Sequence, residues 1–376
     1  MYQIKGKIDS NNAAEFEKEL MAALPTELDA SQLEYISSAG LRVLLKLAKA
    51  VGEVTVNNVS SEVYEIFDVT GFTEILNVKK AFKEIDLTGK EILGKGGNGT
   101  VYRLDAETIV KVYRSDLPME EIERERAYAK AAFVSGIPSV IAYDTVKAGD
   151  SYGVVFEAMN SDTLGHAIMN NPQRRDEYIM KYVQLAKSLH TTSIKGDTIA
   201  SLKDMLTKRV NEPVWLEYCE QGEVDVLKDI VSAMGDSDTL VHGDLHPGNI
   251  MIQDGELMLI DMGEVTKGVP IYDLASVYRD LLAMPNADPE MCRRSAGLEP
   301  EVALEIGPKF FAMYTGITDP AQLEQYMKMM GLVFAFNSVM VIPILPDKKW
   351  APNLVDNLLR PVVIPNAETL KHLLSK

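Results

Sequence analysis

From Met1 to about Asn77, short stretches of alternating apolar and polar residues take turns with longer ones whose apolar residues recur every three to four positions, the pattern of a small α/β layer structure. YQIKGKI reads as a strand and AAEFEKELMAAL as an amphipathic helix with Phe16, Leu20 and Leu24 on one face. LRVLLKLAKAV repeats the helical pattern with Leu41, Leu44, Leu45 and Ala48 and stops at Gly52, an expected C-cap. EVTVNNV predicts a second strand and SEVYEIFDVTGF a third helix closed by Gly71, followed by the stretch ILNV. The charged run from Lys79 to Asp86 reads as a short linker that keeps two domains in contact. Beyond it, GKEILGKGGNGTVYRLD and ETIVKVYR predict consecutive strands around a glycine-rich turn, EEIERERAYAKAAF a helix and VVFEAM a strand. After Ala200 helical periodicity dominates, so a small sheet lobe precedes a larger helical one.

The chain of 376 residues is long enough for two units, and 46% hydrophobic with 25% charged residues is ordinary globular composition. A net charge of -17 lacks the clustered Lys and Arg that a nucleic-acid partner or a polybasic membrane contact requires. Cys219 and Cys292 stand far apart with no metal-ligand spacing, which predicts neither a disulfide framework nor a zinc site and suits a reducing cytoplasm. The N-terminus carries charges where a secretory signal needs an apolar core. The most apolar run, MGLVFAFNSVMVIPIL, is interrupted by Asn337 and falls short of a membrane span, so no membrane insertion is expected.

Phosphoryl transfer needs a cradle for phosphates, a cation beside them, side chains that hold magnesium and a group that orients the attacking hydroxyl. Gly94, Gly96 and Gly99 in GKGGNG have a spacing at which backbone N–H groups can approach phosphate oxygens, although glycines so spaced also serve any tight hairpin. Val101 follows, placed to cover an adenine, and Lys111 lies in the middle of the apolar strand TIVKVY, either facing solvent or reaching the α- and β-phosphates of ATP. A glutamate of the next helix is its expected partner; Glu125 is preferred because it precedes the apolar positions, with Glu121 and Glu123 as alternatives. The stretch VHGDLHPGNIMI followed by LMLIDMGEV sets polar islands between apolar, strand-like residues. There Asp244 would orient the substrate hydroxyl, while Asn249 and Asp261 would hold Mg2+; all three could instead be turn formers. Backbone groups of Glu157 and Met159 in VVFEAM, with Phe156 beside them, are the expected adenine hinge.

On these motifs, residues from about Leu87 to the end resemble the aminoglycoside phosphotransferase and choline kinase-like group, with the signature HGDLHPGN and then IDMG. The resemblance implies a bilobal protein kinase-like fold, with an N-lobe over about 87–159 and a C-lobe over about 160–376. It implies Asp244 as the catalytic aspartate, Asn249 and Asp261 as metal ligands and Lys111 as the phosphate-binding lysine. It further implies that His242 and Asp273 brace the catalytic loop, that His246 touches the transferring phosphate or orients the loop, and that His190 packs or caps. Only twelve positions separate Asp261 from Asp273, with no long activation segment for docking a peptide, which favours a small-molecule hydroxyl acceptor over a protein. Tyr218, Glu264 and Tyr314 could line the acceptor pocket or be core or surface.

Residues 1–78 resemble the STAS domain of anti-sigma factor antagonists, through GKIDSNNAAEFE, LDASQLEYISSAGLRVLL and VSSEVYEIFDVTGFTEIL. The fold class expected for the whole is therefore α+β in two domains, a small STAS-like sheet domain followed by the kinase-like one. Ser37 and Ser38 precede an amphipathic helix, as an N-cap would. The resemblance makes Ser38 the candidate phosphorylation site, with Ser37 departing from the usual acidic residue, and implies a regulatory protein partner for the module. Two alternatives to a small-molecule kinase follow: a partner-switching regulator whose kinase-like part senses nucleotide, and a protein Ser/Thr kinase.

Overall fold

In the computed structural model, which describes residues 1–159, 161–345 and 347–376, the N-terminal alternation becomes a four-stranded sheet in the order β1 (Tyr2–Ile8), β2 (Glu27–Ile36), β3 (Thr55–Val59) and β4 (Asn77–Lys80). All three pairings are parallel, and helices α1 (Ala13–Ala23), α2 (Ser38–Val51) and α3 (Ser61–Val69) make the crossovers. Strand β2 escapes a reading by periodicity. Its buried Leu28, Ala30, Leu33 and Ile36 are spaced by two and then three residues. Register against β1 shifts between Gln3 and Lys5 and again between Gly6 and Lys7, each time placing an extra β2 residue in the ladder. Leu24, expected on the apolar face of α1, instead ends that helix at φ 43° and is 47% exposed.

Helix α2 begins where the Ser37 hydroxyl accepts from Gly40 N–H, and α3 where Ser60 accepts from Val63 N–H. Leu41, Leu44 and Ala48 of α2 meet Val63 and Phe67 of α3 and the strand residues Ile4, Ile36 and Val56 in one apolar core. Phe67 is wholly buried, and its truncation to alanine would cost about 3–5 kcal/mol.

A second, six-stranded sheet runs β5 (Lys83–Glu84), β9 (Ala142–Ala148), β10 (Ser151–Glu157), β8 (Thr108–Tyr113), β7 (Gly99–Arg103) and β6 (Ile92–Lys95). The run from Lys79 to Asp86, expected as a linker, therefore supplies the end of β4 and all of β5. The chain falls into two compact units: Met1–Leu104 with Val110–Leu117 and Asp144–Val155, and Asp105–Ile109 with Pro118–Tyr143 and Phe156–Lys376. The first therefore joins the N-terminal module to much of the second sheet, a division different from one drawn at residue 78.

The other unit carries α4 (Met119–Val134), α5 (Leu164–Asn170), α6 (Arg175–Thr191), α7 (Leu202–Val210) and α8 (Gln221–Ala233). Two short ribbons follow: β11 (Leu240–Val241) pairs antiparallel with β14 (Thr266–Lys267), and β12 (Ile250–Gln253) with β13 (Glu256–Leu259). After them come α9 (Ile271–Tyr278), α10 (Pro300–Thr315), α11 (Pro320–Val339) and α12 (Ala367–Leu374). The segment Pro320–Ile344 is long and apolar enough, by length and composition, to cross a membrane, although its apolar run alone was expected to fall short. Its Met330, Val333, Phe336 and Val339 are buried; Val333, Phe336 and Val339 share a core with Trp215 and residues of α8, α9 and α12.

Candidate active site

The nested ribbons position the polar islands. Pairing of Val241 with Thr266 closes the base, pairing of Ile250 with Leu259 closes the inner hairpin, and Ile260 N–H donates to Asn249 C=O at 3.0 Å. Residues 242–249 and Asp261, twelve or more positions apart in sequence, are thereby joined at one end of the hairpin.

Asp273 on α9 is wholly buried and organises the loop. Its carboxylate accepts from His242 N–H at 2.8 Å and Gly243 N–H at 2.7 Å and lies 3.1 Å from His190 Nε2. Tyr314 Oη sits 2.8 Å from His190 Nδ1, so with His190 Nε2–H donating to Asp273, the Tyr314 hydroxyl donates to Nδ1. His242 Nδ1 accepts from Asp244 N–H at 3.3 Å, which assigns the proton to Nε2 and its donation to Ile260 C=O at 3.1 Å. Gly243 has φ 84°, and a side chain there would press against Glu264 C=O. Bracing roles for His242 and Asp273 and a packing role for His190 thus have direct partners.

Asn249 Nδ2–H donates to both Asp244 C=O at 3.0 Å and Asp244 Oδ2 at 3.1 Å. With the amide nitrogen so committed, Oδ1 is the Asn249 atom that suits a cation. Asp261 is exposed and left-handed at φ 60°, an uncommon conformation for a residue other than glycine. Among the described residues no group of three or more His, Cys, Asp or Glu side chains could alone hold a metal ion. A magnesium shared with phosphate oxygens needs only one or two protein ligands, so the Asn249 and Asp261 donor set fits that ion.

Two residues that the motifs did not supply complete the loop. Arg279 Nη2 lies 2.5 Å from Asp244 Oδ1 and 2.6 Å from Asp280 Oδ2, and Asp280 is 2% exposed. The signal was present in YRDLL, a charged pair inside an apolar helical run. His246 is buried, accepts from Gly248 N–H through Nδ1 at 3.1 Å and turns Nε2 toward Asp244 Oδ2 at 3.4 Å. Burial opposes the charge on Asp244, but His246 and the Arg279 guanidinium outweigh it and hold the carboxyl well below its usual range. Burial likewise opposes a charge on His246, and the Asp244 carboxylate reverses the balance, raising the imidazole pKa.

Among the glutamates of α4 weighed from the sequence, Glu125 is the buried one, and it packs beside Gly263, where a Cβ would stand 3.3 Å from its Oε2. Glu123 pairs with Arg126 at 3.0 Å, while Glu121 is exposed. At the expected hinge, Glu157 N–H donates to Ile141 C=O, its side chain accepts from Ile141 N–H, and Ala158 N–H donates to Glu107 C=O. Met159 follows these two committed N–H groups.

In the other unit, β6 and β7 form the glycine hairpin, with Gly94 opposite Val101 and Gly96 N–H donating to Gly99 C=O at 2.9 Å. Side chains on Gly94 or Gly97 would meet nothing within 4 Å, whereas one on Gly99 would overlap the Val112 carbonyl. Gly99 is thus demanded by packing, whereas Gly94 and Gly97 have open space around them. Lys111 stands mid-strand in β8 with Nζ 5.2 Å from the Tyr113 ring centroid. Ser38 is exposed in the first turn of α2, just behind the Ser37 cap.

A model described as the phosphotransferase enzyme family matches residues 88–301, and a STAS domain model matches residues 1–85. "Putative anti-sigma factor antagonist BtrV" of Bordetella bronchiseptica is 38% identical over 84 residues, which are 20% of this chain and 72% of that one. An ADP-bound aminoglycoside phosphotransferase, APH(2'')-Ib, is 15% identical, with 80% of this chain and 97% of that one covered at a TM-score of 0.49. A choline/ethanolamine kinase family protein from Mesorhizobium loti is 12% identical, with 76% and 92% covered at 0.46. With a family model matched over more than half its length and a STAS relative covered over most of its own, the chain belongs to the phosphotransferase enzyme family and carries an N-terminal STAS domain.

Proposed function

We propose that this phosphotransferase is cytoplasmic and depends on ATP and magnesium, moving the γ-phosphate to a hydroxyl of a small molecule under regulation by its STAS domain. The observation that carries the reading is the double donation from Asn249 to Asp244, which joins the hydroxyl-orienting acid to a candidate metal ligand in one rigid loop. Magnesium held by Asn249 Oδ1 and Asp261 would neutralise charge on the phosphates.

The remaining work falls to side chains and backbone. Asp244 accepts a hydrogen bond from the acceptor hydroxyl and aims its oxygen at the γ-phosphorus; the new O–P bond forms as the bond to the leaving oxygen of ADP breaks, and the hydroxyl proton leaves through the Asp244 carboxylate. A carboxyl held below its usual range is a poor proton acceptor early in the reaction, so orientation is its main contribution. Arg279 and His246 keep that carboxylate charged and turned. The glycine hairpin would cradle the phosphates, Val101 cover the adenine, Lys111 reach the α- and β-phosphates, and Glu157 and Met159 meet the base. The short interval between Asp261 and Asp273 supports a small acceptor.

Full-length protein with ATP, magnesium and a panel of alcohols and aminoglycosides tests the reading. Phosphate transfer to at least one acceptor is expected; no turnover together with no nucleotide-induced thermal shift contradicts it. Exposed Ser38 at a helix N-terminus supports a second reading, a partner-switching regulator. Capture of a regulatory protein by the full chain, equal in wild type and Asp244→Ala and lost on Ser38→Asp, would favour it.

A further inference from the structure

One charged cluster outside the site joins the STAS domain to the second sheet. Asp144 of β9 accepts from the Ser61 hydroxyl in the first turn of α3 at 2.6 Å and from Lys80 Nζ at the end of β4 at 2.9 Å. The Lys80 side chain is only 8% exposed. An ammonium so far out of water needs its counter-charge, which makes this contact unlike the exposed ion pairs scattered over the surface. The rings of Tyr64 and Phe82 flank the same ammonium at 6.0 and 5.7 Å.

The junction continues along the chain. Ala81 N–H donates to Val59 C=O, Phe82 meets Tyr152 of β10 edge-on at 5.0 Å, and β5 pairs parallel with β9. Ile85 N–H then donates to Lys147 C=O at 2.9 Å. STAS helix, STAS strand and connecting segment therefore all end on β9 and β10. In the sheet order β10 is the direct neighbour of β8, which carries Lys111, and β7 of the glycine hairpin comes next.

We propose that the Ser61–Lys80–Asp144 node is an intrachain docking interface that makes the STAS domain and the second sheet one cooperative body. Events on the STAS domain, such as engagement of a protein partner, then reach the strands of Lys111 and the glycine hairpin through β9 and β10 rather than stopping at a flexible tether. The coupling is reciprocal: whatever stiffens the sheet also stiffens α3 and β4. This inference goes beyond the phosphotransfer reading and does not rest on it.

Amide hydrogen exchange on the full chain without nucleotide tests it, so its failure would leave the phosphotransfer reading untouched. In wild type, protected amides of α3 and β4 should open together with those of β9 and β10. Lys80→Met should raise exchange of both sets in parallel, by about tenfold or more, and Ser61→Ala should do the same by a smaller factor. Exchange that rises only within residues 61–80 while β9 and β10 keep wild-type protection would overturn the proposal. Should Lys80→Met fail to fold, Ser61→Ala decides between the same two outcomes.

Discussion

The loop of Asp244 and the glycine hairpin, which belong to different units, are built in opposite ways. In the loop every polar side chain is tied: Asp273 holds two backbone N–H groups, His242 bridges Asp244 to Ile260, and Asp244 is held by Asn249 and Arg279. In the hairpin Gly94 and Gly97 face open space, and only Gly99 is pinned by packing. A group that must aim at a reacting atom gains from fixed partners, because misplacement costs rate directly. On the function proposed above, the hairpin's backbone would gain from missing side chains when it meets a flexible phosphate chain.

The largest effect should come from removing the tie at the centre of the loop. Asp273→Ala leaves His242 N–H, Gly243 N–H and His190 without their shared acceptor and should cost about 3–5 kcal/mol of stability, read by denaturant unfolding. A loss below 1 kcal/mol would mean that the loop holds its shape without α9. Arg279→Met should lower kcat by about tenfold to a hundredfold with KM little changed, because it turns Asp244 rather than binding substrate. An equal rise in KM with unchanged kcat would instead place the arginine in substrate binding.

The hairpin offers the sharper contrast between neighbouring glycines. Gly99→Ala should destabilise by about 1–3 kcal/mol through the Val112 carbonyl, while Gly97→Ala should leave stability within about 0.5 kcal/mol and act on nucleotide affinity alone. The smallest effect is expected at Asp144. Burial works against its charge, but the Ser61 hydroxyl, the Lys80 ammonium and the Thr145 N–H outweigh it and lower its pKa from the ordinary 3.8. Its contribution is therefore complete above that ordinary value and lost as pH falls through the depressed one. Melting temperature in this acid range should fall more steeply for wild type than for Asp144→Asn; parallel profiles would show that the carboxylate adds nothing there.

Much of this was legible in the sequence where local chemistry and fold agree. HGDLHPGN and IDMG marked Asp244, Asn249 and Asp261 as polar islands between strand-like residues, and the inner hairpin joins those islands at one end. The preference for Glu125 followed from its place before the apolar positions of α4, and it is the buried glutamate. Strand β2 was hidden because two extra residues in its ladder break the period of two. YRDLL marks Arg279 and Asp280 as a charged pair in an apolar run, but the contact of Arg279 with Asp244, thirty-five residues upstream, is one that no local pattern encodes. The run 79–86 read as a linker because its charges mask two short strands, each needing only a few residues to pair.

The most direct measurement is transfer of labelled γ-phosphate from ATP, with magnesium, by the wild type, Asp244→Ala and Asp261→Ala, alongside nucleotide binding by each. Wild type should label an acceptor. Asp244→Ala should bind nucleotide within about twofold of wild type yet lose roughly a thousandfold or more in turnover, and Asp261→Ala should lose magnesium-dependent turnover while keeping its fold. Undiminished transfer by either variant would contradict the assignment of the site.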